Sequence, residues 1–230
     1  MTKSRYLAGL WDKVLGHNLL WAVFSHSALS LPLANYRAPS WSWVSCSNPV
    51  RFECPPWSNG TRYLFDLMEV DCATVDDDEF GEVISGHLTI SARIAQVYLY
   101  REVLFEDDQE ILAFTNISKV GHNWTFSTPL DYPVDISQGW TKVDAPNGNN
   151  GIEYSPNKKK IWFRKDEIFY CVRIAEGWGE RWVMSGLSGL LLRHLHESEN
   201  TFERVGLVRE NPGLHVVFDD VDADTIIKII

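Results

Sequence analysis

The chain has few of the features that mark membrane-spanning or secreted proteins. Its 230 residues include only four cysteines, and Cys46, Cys54, Cys72 and Cys171 show no CxxC pair or other metal-ligand spacing. No run reaches the roughly 18 apolar residues of a membrane span. The first residues have no hydrophobic signal core, because Asp12 and its polar neighbours interrupt it. We therefore expect a cytosolic (cytoplasmic) protein with reduced, buried cysteines.

Basic residues are also scarce, which bears on partners and cofactors. Lysine and arginine number 21 against 31 acidic residues, so the formal net charge is −10. Broad nucleic-acid binding is not expected, because phosphate contacts need clustered basic side chains. The run Lys158–Lys160 follows Pro156 and Asn157 and is predicted to be a solvated loop. Phosphate-binding glycine loops and dinucleotide fingerprints are missing, so no cofactor is implied.

Aromatic and aliphatic residues, by contrast, are plentiful. The chain is 45% hydrophobic and 13% aromatic, with ten tryptophans. A chain of this length and composition can bury a full core. We expect a single antiparallel β-rich domain over residues 36–230, preceded by a helical segment over residues 1–35 that packs on it.

The predicted N-terminal helix rests on apolar residues at helical spacing. Leu7, Leu10, Val14 and Leu15 share one face, and the stripe continues from Leu19 to Phe24. This spacing predicts one amphipathic helix, or two with a break near Gly16. The helix either lies on the β domain or leaves an apolar face uncovered, in which case it would support a homodimer.

The segment Tyr36–Val44 has the most distinctive sequence, YRAPSWSWV. Pro39 fixes its own φ and pushes Ala38 towards an extended conformation, which predicts a strand. In a strand, Trp41 and Trp43 would share one face. An aromatic pair is more often core than a ligand platform, although these two residues, with Tyr36 and Arg37, are also the weak candidates for ligand binding.

Three motifs in the first fifty residues carry a resemblance to a known family. They are YLAGLW at 6–11, LLW at 19–21 and YRAPSWSW at 36–43. Together they resemble the segment that follows the signature domain in fungal heterokaryon-incompatibility (HET) proteins. Weaker matches follow in the family's order: GHL at 86–88, LD at 130–131, GLLL at 189–192 and FERVG at 202–206.

The resemblance implies a β-rich fold like that of the family's C-terminal region. The chain opens five residues before Tyr6, so the N-terminal HET domain is not expected in it. In the family, this region would serve recognition or regulation near the signalling domain. The resemblance thus implies a free-standing recognition or regulatory module.

Alternating residues predict most of the strands. Between Gly86 and Tyr100, apolar residues occupy one face up to Ile94 and then swap to Ala95, Val97 and Leu99. Such a swap is typical of a bulge, or of a strand that leaves one sheet for another. The last third is rich in branched and aromatic residues, ending at Thr225–Ile230. We expect an antiparallel barrel or sandwich.

Polar clusters are interpreted as structural in most cases. The acidic run Asp76–Glu79 lacks the spacing of a calcium loop and is predicted to be a solvated hairpin tip. The aspartates of Asp219–Asp224 could hold calcium, although a charged loop before the last strand is the plainer interpretation. His194 and His196 lie two apart beside Glu197 but have no clear third metal ligand. Glu203 and Arg204 are expected to point to opposite faces, with one of them in an ion pair.

Two functions from different classes remain open. The first is the non-catalytic interaction module. The second is a cofactor-free enzyme, a cyclase or isomerase of pericyclase type, that acts on a fungal natural product (secondary metabolism) in an aromatic-lined pocket. Its weak candidates for catalytic polar groups are Asp131, His87 and His194. An enclosed apolar cavity would favour the enzyme, whereas a solid core with an exposed apolar patch would favour the module. The partner is then a small hydrophobic ligand or another protein.

Overall fold

The protein is mainly β, as the sequence predicts. A computed structural model describes residues 4–23, 35–52, 61–106, 109–118, 126–127, 140–141, 158–163, 169–178, 185–195 and 200–230. The N-terminal elements are β1 (Tyr6–Leu7), β2 (Leu10–Trp11), a 3₁₀ turn (Asp12–Val14), α1 (Leu15–Asn18), β3 (Trp21–Val23), a second 3₁₀ turn (Trp43–Ser45) and β4 (Val50–Phe52). No helix in these ranges is long and apolar enough to cross a bilayer.

The remaining elements build the main sheet. In chain order they are β5 (Arg62–Tyr63), β6 (Phe65–Thr74), β7 (Val83–Ala92), β8 (Ile94–Glu106), β9 (Gln109–Ser118), β10 (Phe126–Ser127), β11 (Trp140–Thr141), β12 (Lys158–Phe163), β13 (Phe169–Trp178), β14 (Ser185–His194), β15 (Thr201–Asn211) and β16 (Thr225–Ile229). Two 3₁₀ segments, Val75–Asp77 and Pro212–Phe218, lie between strands.

The main sheet is open and almost wholly antiparallel. Its strand order is β10-β9-β8-β13-β14-β15-β16-β7-β6, with β12 on β8, β11 on β12 and β5 on β13. Only the pairing of β15 with β16 is parallel among the described strands. Because the order runs from a first strand to a last strand, the predicted barrel or sandwich is not confirmed.

Both faces of the central strands β13, β14 and β15 are buried. Leu190 and Leu192 of β14 point into a first core, which the N-terminal segment and β7 cover. Leu187 and Leu191 point into a second core, which includes Leu214 of the 3₁₀ segment after β15. Burial on both sides explains the nearly continuous apolar run of β14.

The predicted swap of the apolar face between β7 and β8 is confirmed. Leu88 and Ile90 lie in the first core, whereas Ala95 and Val97 lie in the second. Arg93 stands at the break, between the two strands. Strands β7 and β8, which follow each other in the chain, therefore contribute side chains to different cores.

The predicted N-terminal helix is largely wrong. In the described part of this segment only Leu15–Asn18 is α-helical, because Ala8 (φ 47°) and Gly9 (φ 91°) form a left-handed turn that starts a β1–β2 hairpin instead. Most of its apolar side chains are buried in the first core, including Leu10 and Leu19 at 0% exposure, whereas Val14 is 46% exposed. These residues therefore lie on the β body, and the amphipathic helix face proposed for dimerisation does not form.

A second correction concerns the lysine run. Lys158–Lys160 is not a loop but the start of β12, which pairs with Leu104–Glu102 of β8. Lysines are well suited to a strand near a sheet edge, because their charge opposes pairing with other chains. The expectation for Glu203 and Arg204, in contrast, is confirmed. Glu203 forms an ion pair with Arg193, and Arg204 points into the protein.

Arg204 joins the N-terminal segment to the main sheet. It is 0% exposed; its Nη1 donates to the carbonyl oxygen of Leu19 at 2.7 Å, and its Nη2 donates to that of Trp21. Its guanidinium carbon lies 3.5 Å from the centre of the Trp21 ring. The charge is thus held by two carbonyl dipoles and an aromatic face.

Replacing Arg204 should destabilise the protein strongly. In Arg204→Met, the buried carbonyls of Leu19 and Trp21 lose their donor, and each orphaned group costs about 1–3 kcal/mol. We expect the free energy of unfolding, measured with urea, to fall by about 3 kcal/mol or more. Arg5→Met is the matched control, since the Arg5 side chain is 59% exposed and exposed ion pairs contribute at most about 1 kcal/mol. Equal losses in the two variants would contradict this role.

His17 should make folding sensitive to acid. The residue is 6% exposed, its ring stacks on Phe52 at 6.2 Å, and its Nδ1 has no partner among the described residues. Burial lowers the pKa of His17, so below about pH 6.5 the unfolded chain takes up a proton that the folded chain does not.

The expected result is a loss of stability on acidification that the variant His17→Phe does not share. The free energy of unfolding of each protein would be measured by urea titration from about pH 8 to pH 5, the range that spans an ordinary histidine pKa. The difference between the two curves should be constant at high pH and should change below about pH 6.5. Parallel curves across the whole range would show that His17 does not contribute.

Candidate functional site

The distinctive segment YRAPSWSWV forms a loop of turns, not the predicted strand. Ser42 donates its backbone N–H to the carbonyl of Pro39 at 2.9 Å, and a 3₁₀ turn follows from Trp43. The serine hydroxyls explain the difference. Ser42 Oγ accepts from the Val44 N–H at 3.0 Å and Ser45 Oγ donates to the Ser42 carbonyl at 2.7 Å, so local side-chain bonds replace strand pairing.

The two tryptophans of this loop have different environments. Trp41 is 0% exposed and belongs to the first core, and its carbonyl accepts from Trp21 Nε1 at 3.1 Å. Trp43 is 36% exposed, and its Nε1 donates to the Gly9 carbonyl at 3.0 Å. The core interpretation is therefore confirmed for Trp41 and is wrong for Trp43.

The polar groups of residues 36–46, which we call the clamp loop, bind the body of the protein. Ser42 Oγ donates to the carbonyl of Ala8. Ser40 donates its N–H to the carbonyl of Ile230 at 3.1 Å, and its Oγ accepts the N–H of Arg204 at 2.9 Å. The loop thus ties the N-terminal hairpin to β15 and to the end of β16.

Arg37, a weak candidate for ligand binding, closes the clamp loop itself. Its Nε donates to the Val44 carbonyl at 2.6 Å and its Nη2 donates to the Cys46 carbonyl at 2.8 Å. These two bonds span the loop from its start to its end. A guanidinium used in this way positions the loop, and its geometry gives no sign of a ligand contact.

An open cleft lies between the N-terminal hairpin and strand β6. Its volume is about 570 Å³, and it is lined by Ser4, Arg5, Tyr6, Leu7, Asp71, Cys72, Ala73, Thr74 and Glu79. Two bonds cross from one wall to the other. Arg5 Nη2 donates to the Val70 carbonyl at 3.4 Å, and the Tyr6 N–H donates to Glu79 Oε1 at 2.9 Å.

Two exposed aromatic rings lie next to Tyr6, which lines the cleft. The Tyr6 ring lies 5.3 Å from Trp11, edge to face, and 5.0 Å from Phe80. Trp11 is 43% exposed and Phe80 is 64% exposed. An aromatic surface of this kind beside carboxylates offers apolar contact and attraction for cations.

The pKa values of two groups are raised, that of Cys72, which lines the cleft, and that of Tyr36, which lies outside its lining. Burial, and then the charge of Asp71, raises the pKa of the Cys72 thiol. Desolvation, and then the charge of Cys72, raises the pKa of Tyr36 to about 12, although the residue as a whole is 55% exposed. Both groups are therefore protonated near neutral pH, and a protonated thiol is a weak nucleophile.

The remaining candidate site residues do not come together. His87 on β7 places its Nε2 3.3 Å from Glu69 Oε2, whereas the His194 ring lies 5.2 Å from that of Phe202. Strands β15 and β16 separate their strands in the sheet order. Asp131 and His196 lie outside the described residues. Within the described ranges, no group of three metal-ligating side chains occurs.

Both acidic runs lie in turns, as predicted. Asp76–Glu79 connects β6 with β7, and Asp76 has a φ of 57°. Asp219–Asp224 precedes β16, with exposed carboxylates. Glu79 nevertheless has a role that its position in a turn does not suggest, because it accepts the N–H of Tyr6 and borders the cleft.

Comparison with protein-family models, with curated proteins and with solved structures gives no match. Sequence reasoning did not find the cleft, because its two walls are about seventy residues apart in the chain. The partial signal was the acidic strand β6, which carries Asp66, Glu69 and Asp71 and has no lysine or arginine.

The two clamp-loop tryptophans should differ in their effect on stability. Trp41→Ala empties part of the first core and should cost about 3–5 kcal/mol of unfolding free energy. Trp43→Ala removes one half-exposed ring and one hydrogen bond and should cost about 1–2 kcal/mol. Urea unfolding followed by far-UV circular dichroism measures both without relying on tryptophan emission. The reverse order of the two losses would contradict the assignment.

Proposed function

We propose that the protein is a non-catalytic recognition module, comparable in role to the C-terminal region of HET proteins, and that it binds an extended basic segment of a partner protein. The binding site is the cleft between the N-terminal hairpin and β6. The observation that carries the proposal is the outer edge of β6, which is acidic, borders the cleft and has no strand partner in the described part of the chain.

An extended peptide can add a strand to such an edge. β6 is ten residues long and ends the order of the main sheet, so no strand among the described residues pairs with its outer edge. Arg5 reaches the Val70 carbonyl of this strand. Backbone pairing supplies affinity in this mode, and side chains of the peptide supply specificity. A long uncovered edge is a liability that proteins usually protect, which favours a use for it.

Charge argues for a basic partner instead of a second copy. Asp66, Glu69 and Asp71 make the strand acidic, and the whole chain has a net charge of −10. A second β6 laid against the first would bring carboxylates together, which opposes pairing. Lysine or arginine side chains would be attracted to the strand and to the rings of Trp11 and Phe80.

The alternative function, a cofactor-free cyclase or isomerase, has less support. It needs aromatic side chains around an enclosed apolar pocket. Trp21 and Trp41 are instead fully buried in packing, and the cleft is open and largely polar. His87 and His194 do not converge on it. The burial of Trp21 and Trp41 and the exposed rings of Trp11 and Phe80 support the module.

The proposal can be tested with a defined peptide. An eight-residue fluorescent peptide that alternates lysine and threonine should bind and raise its own anisotropy, and one that alternates glutamate and threonine should not. Asp71→Asn and Glu69→Gln should each weaken binding several-fold, because each removes one attractive charge. Asp219→Asn, an exposed acidic residue in the loop before β16, is the matched control and should bind as the unmodified protein does.

Backbone pairing is tested separately from charge. A lysine peptide in which alternate residues are N-methylated keeps its charge but loses donors on one edge, so it should bind much more weakly if it adds a strand. Equal binding of the methylated and unmethylated peptides would contradict strand addition. No binding of the lysine peptide, or equal binding by Asp71→Asn, would overturn the proposed site.

A further inference from the structure

Three arginines gather where β5, β8 and β13 meet. Arg173 donates its backbone N–H to the carbonyl of Arg93 at 3.0 Å, so the two residues face each other across neighbouring strands. On the same edge of β13, Arg62 is the register partner of Glu176. In a chain with ten more negative than positive charges, this concentration of guanidinium groups is a marked exception.

The pairing of strands β5 and β8 with β13 brings the three arginines together. β5 and β8 pair with the same edge of β13, one after the other. Between them the chain leaves as the β6–β7 hairpin and returns at Arg93. The register of β13 also shifts between Arg173 and Ala175. The corner thus brings together residues that are far apart in the sequence.

The nearby carboxylates do not balance the three arginines. Arg62 Nη2 and Arg173 Nη2 share one oxygen of Glu176, at 3.1 and 3.7 Å. Arg93 Nε lies 4.0 Å from Asp224 Oδ1. Among the residues that the structure describes, three guanidinium charges against these two carboxylates leave one net positive charge. Like charges directly opposite each other across a strand pair are destabilising.

Arg173 has an unused donor inside this cluster. Its side chain is 17% exposed, and its Nε is buried with no hydrogen-bond partner among the described residues. Burial, and then the charge of Arg93, lowers the pKa of Arg173. A buried donor without a partner costs stability.

From this geometry we propose that Arg62, Arg93 and Arg173 form a binding site for a phosphate-type oxyanion. Guanidinium groups hold phosphate oxygens through pairs of charge-assisted hydrogen bonds. The anion would balance the excess charge and would separate the opposed Arg93 and Arg173. The side chains of Arg62 and Arg93 are 71% and 40% exposed, so solvent reaches the cluster. This site does not depend on the proposed peptide cleft.

The first test compares thermal unfolding in sodium phosphate and in sodium chloride at equal ionic strength. A ligand that binds only the folded chain raises the melting temperature, so phosphate should raise it for the unmodified protein. Arg173→Gln and the exposed Arg62→Gln should lose this shift, and Arg5→Gln should keep it. The same shift in all four proteins, or none in the unmodified one, would overturn the proposal.

A second measurement reports binding without relying on stability. The ³¹P resonance of inorganic phosphate should broaden with the unmodified protein, and the apparent dissociation constant should rise about tenfold or more in Arg62→Gln. Glu176→Gln should bind phosphate more tightly, because it removes the carboxylate that competes for Arg62 and Arg173. Weaker binding by Glu176→Gln would contradict the site.

Arg93→Gln separates an anion site from a structural ion pair. If the cluster is an anion-binding site, Arg93→Gln in chloride should be as stable as the unmodified protein or more stable, because the substitution removes the repulsion between the charges of Arg93 and Arg173. A clear loss of stability would assign Arg93 to structure and would overturn the proposal. Phenyl phosphate tests which kind of phosphate compound the site binds. Tighter binding of phenyl phosphate than of inorganic phosphate indicates that the ligand is a phosphomonoester, and equal binding indicates that it is free phosphate.

Discussion

The fold depends on how one buried cation is held. Arg204 leaves β15 and donates to two carbonyls of the N-terminal segment while it packs on Trp21. A fully buried charge is costly unless its donors are satisfied, so these contacts restrict where the N-terminal segment can lie. Hydrophobic burial of Leu10 and Leu19 would tolerate several placements, because apolar contact is not directional. The directional hydrogen bonds of the Arg204 guanidinium fix one of these placements.

The clamp loop extends the same constraint to the end of the chain described. Ser40 accepts the Arg204 N–H and also donates to Ile230. Trp41 accepts from Trp21, the ring beneath the guanidinium. Residues of the three distinctive motifs at 6–11, 19–21 and 36–43 therefore contact each other or their neighbours directly. The contacts described for these motifs hold the N-terminal segment on the sheet.

Sequence reasoning succeeded where burial imposes a regular pattern. The swap of apolar side chains after Ile94 predicted a bulge or a change of sheet, and in the structure Ile90 lies in the first core and Ala95 in the second. It failed where local polar bonds decide the backbone. Leu7 to Leu20 have helical spacing, yet the left-handed Ala8 and Gly9 make a hairpin. The hydroxyls of Ser42 and Ser45 likewise replaced a strand by turns. The cleft could not be predicted, since it joins residues that only the tertiary fold brings together.

The outer edge of β6 and the corner beside Arg173 differ from the central strands of the sheet, because their side chains are less involved in packing. Central strands β13 to β15 bury both faces, so their side chains are committed to packing and a polar substitution there is costly. At the outer edge of β6 no strand pairs with the backbone among the described residues, and at the corner beside Arg173 the alternation of side chains breaks at a register shift. Charged residues can gather at these two places without disturbing either core. The two proposed sites therefore lie where side chains are not required for packing, and their opposite charges fit ligands of opposite sign.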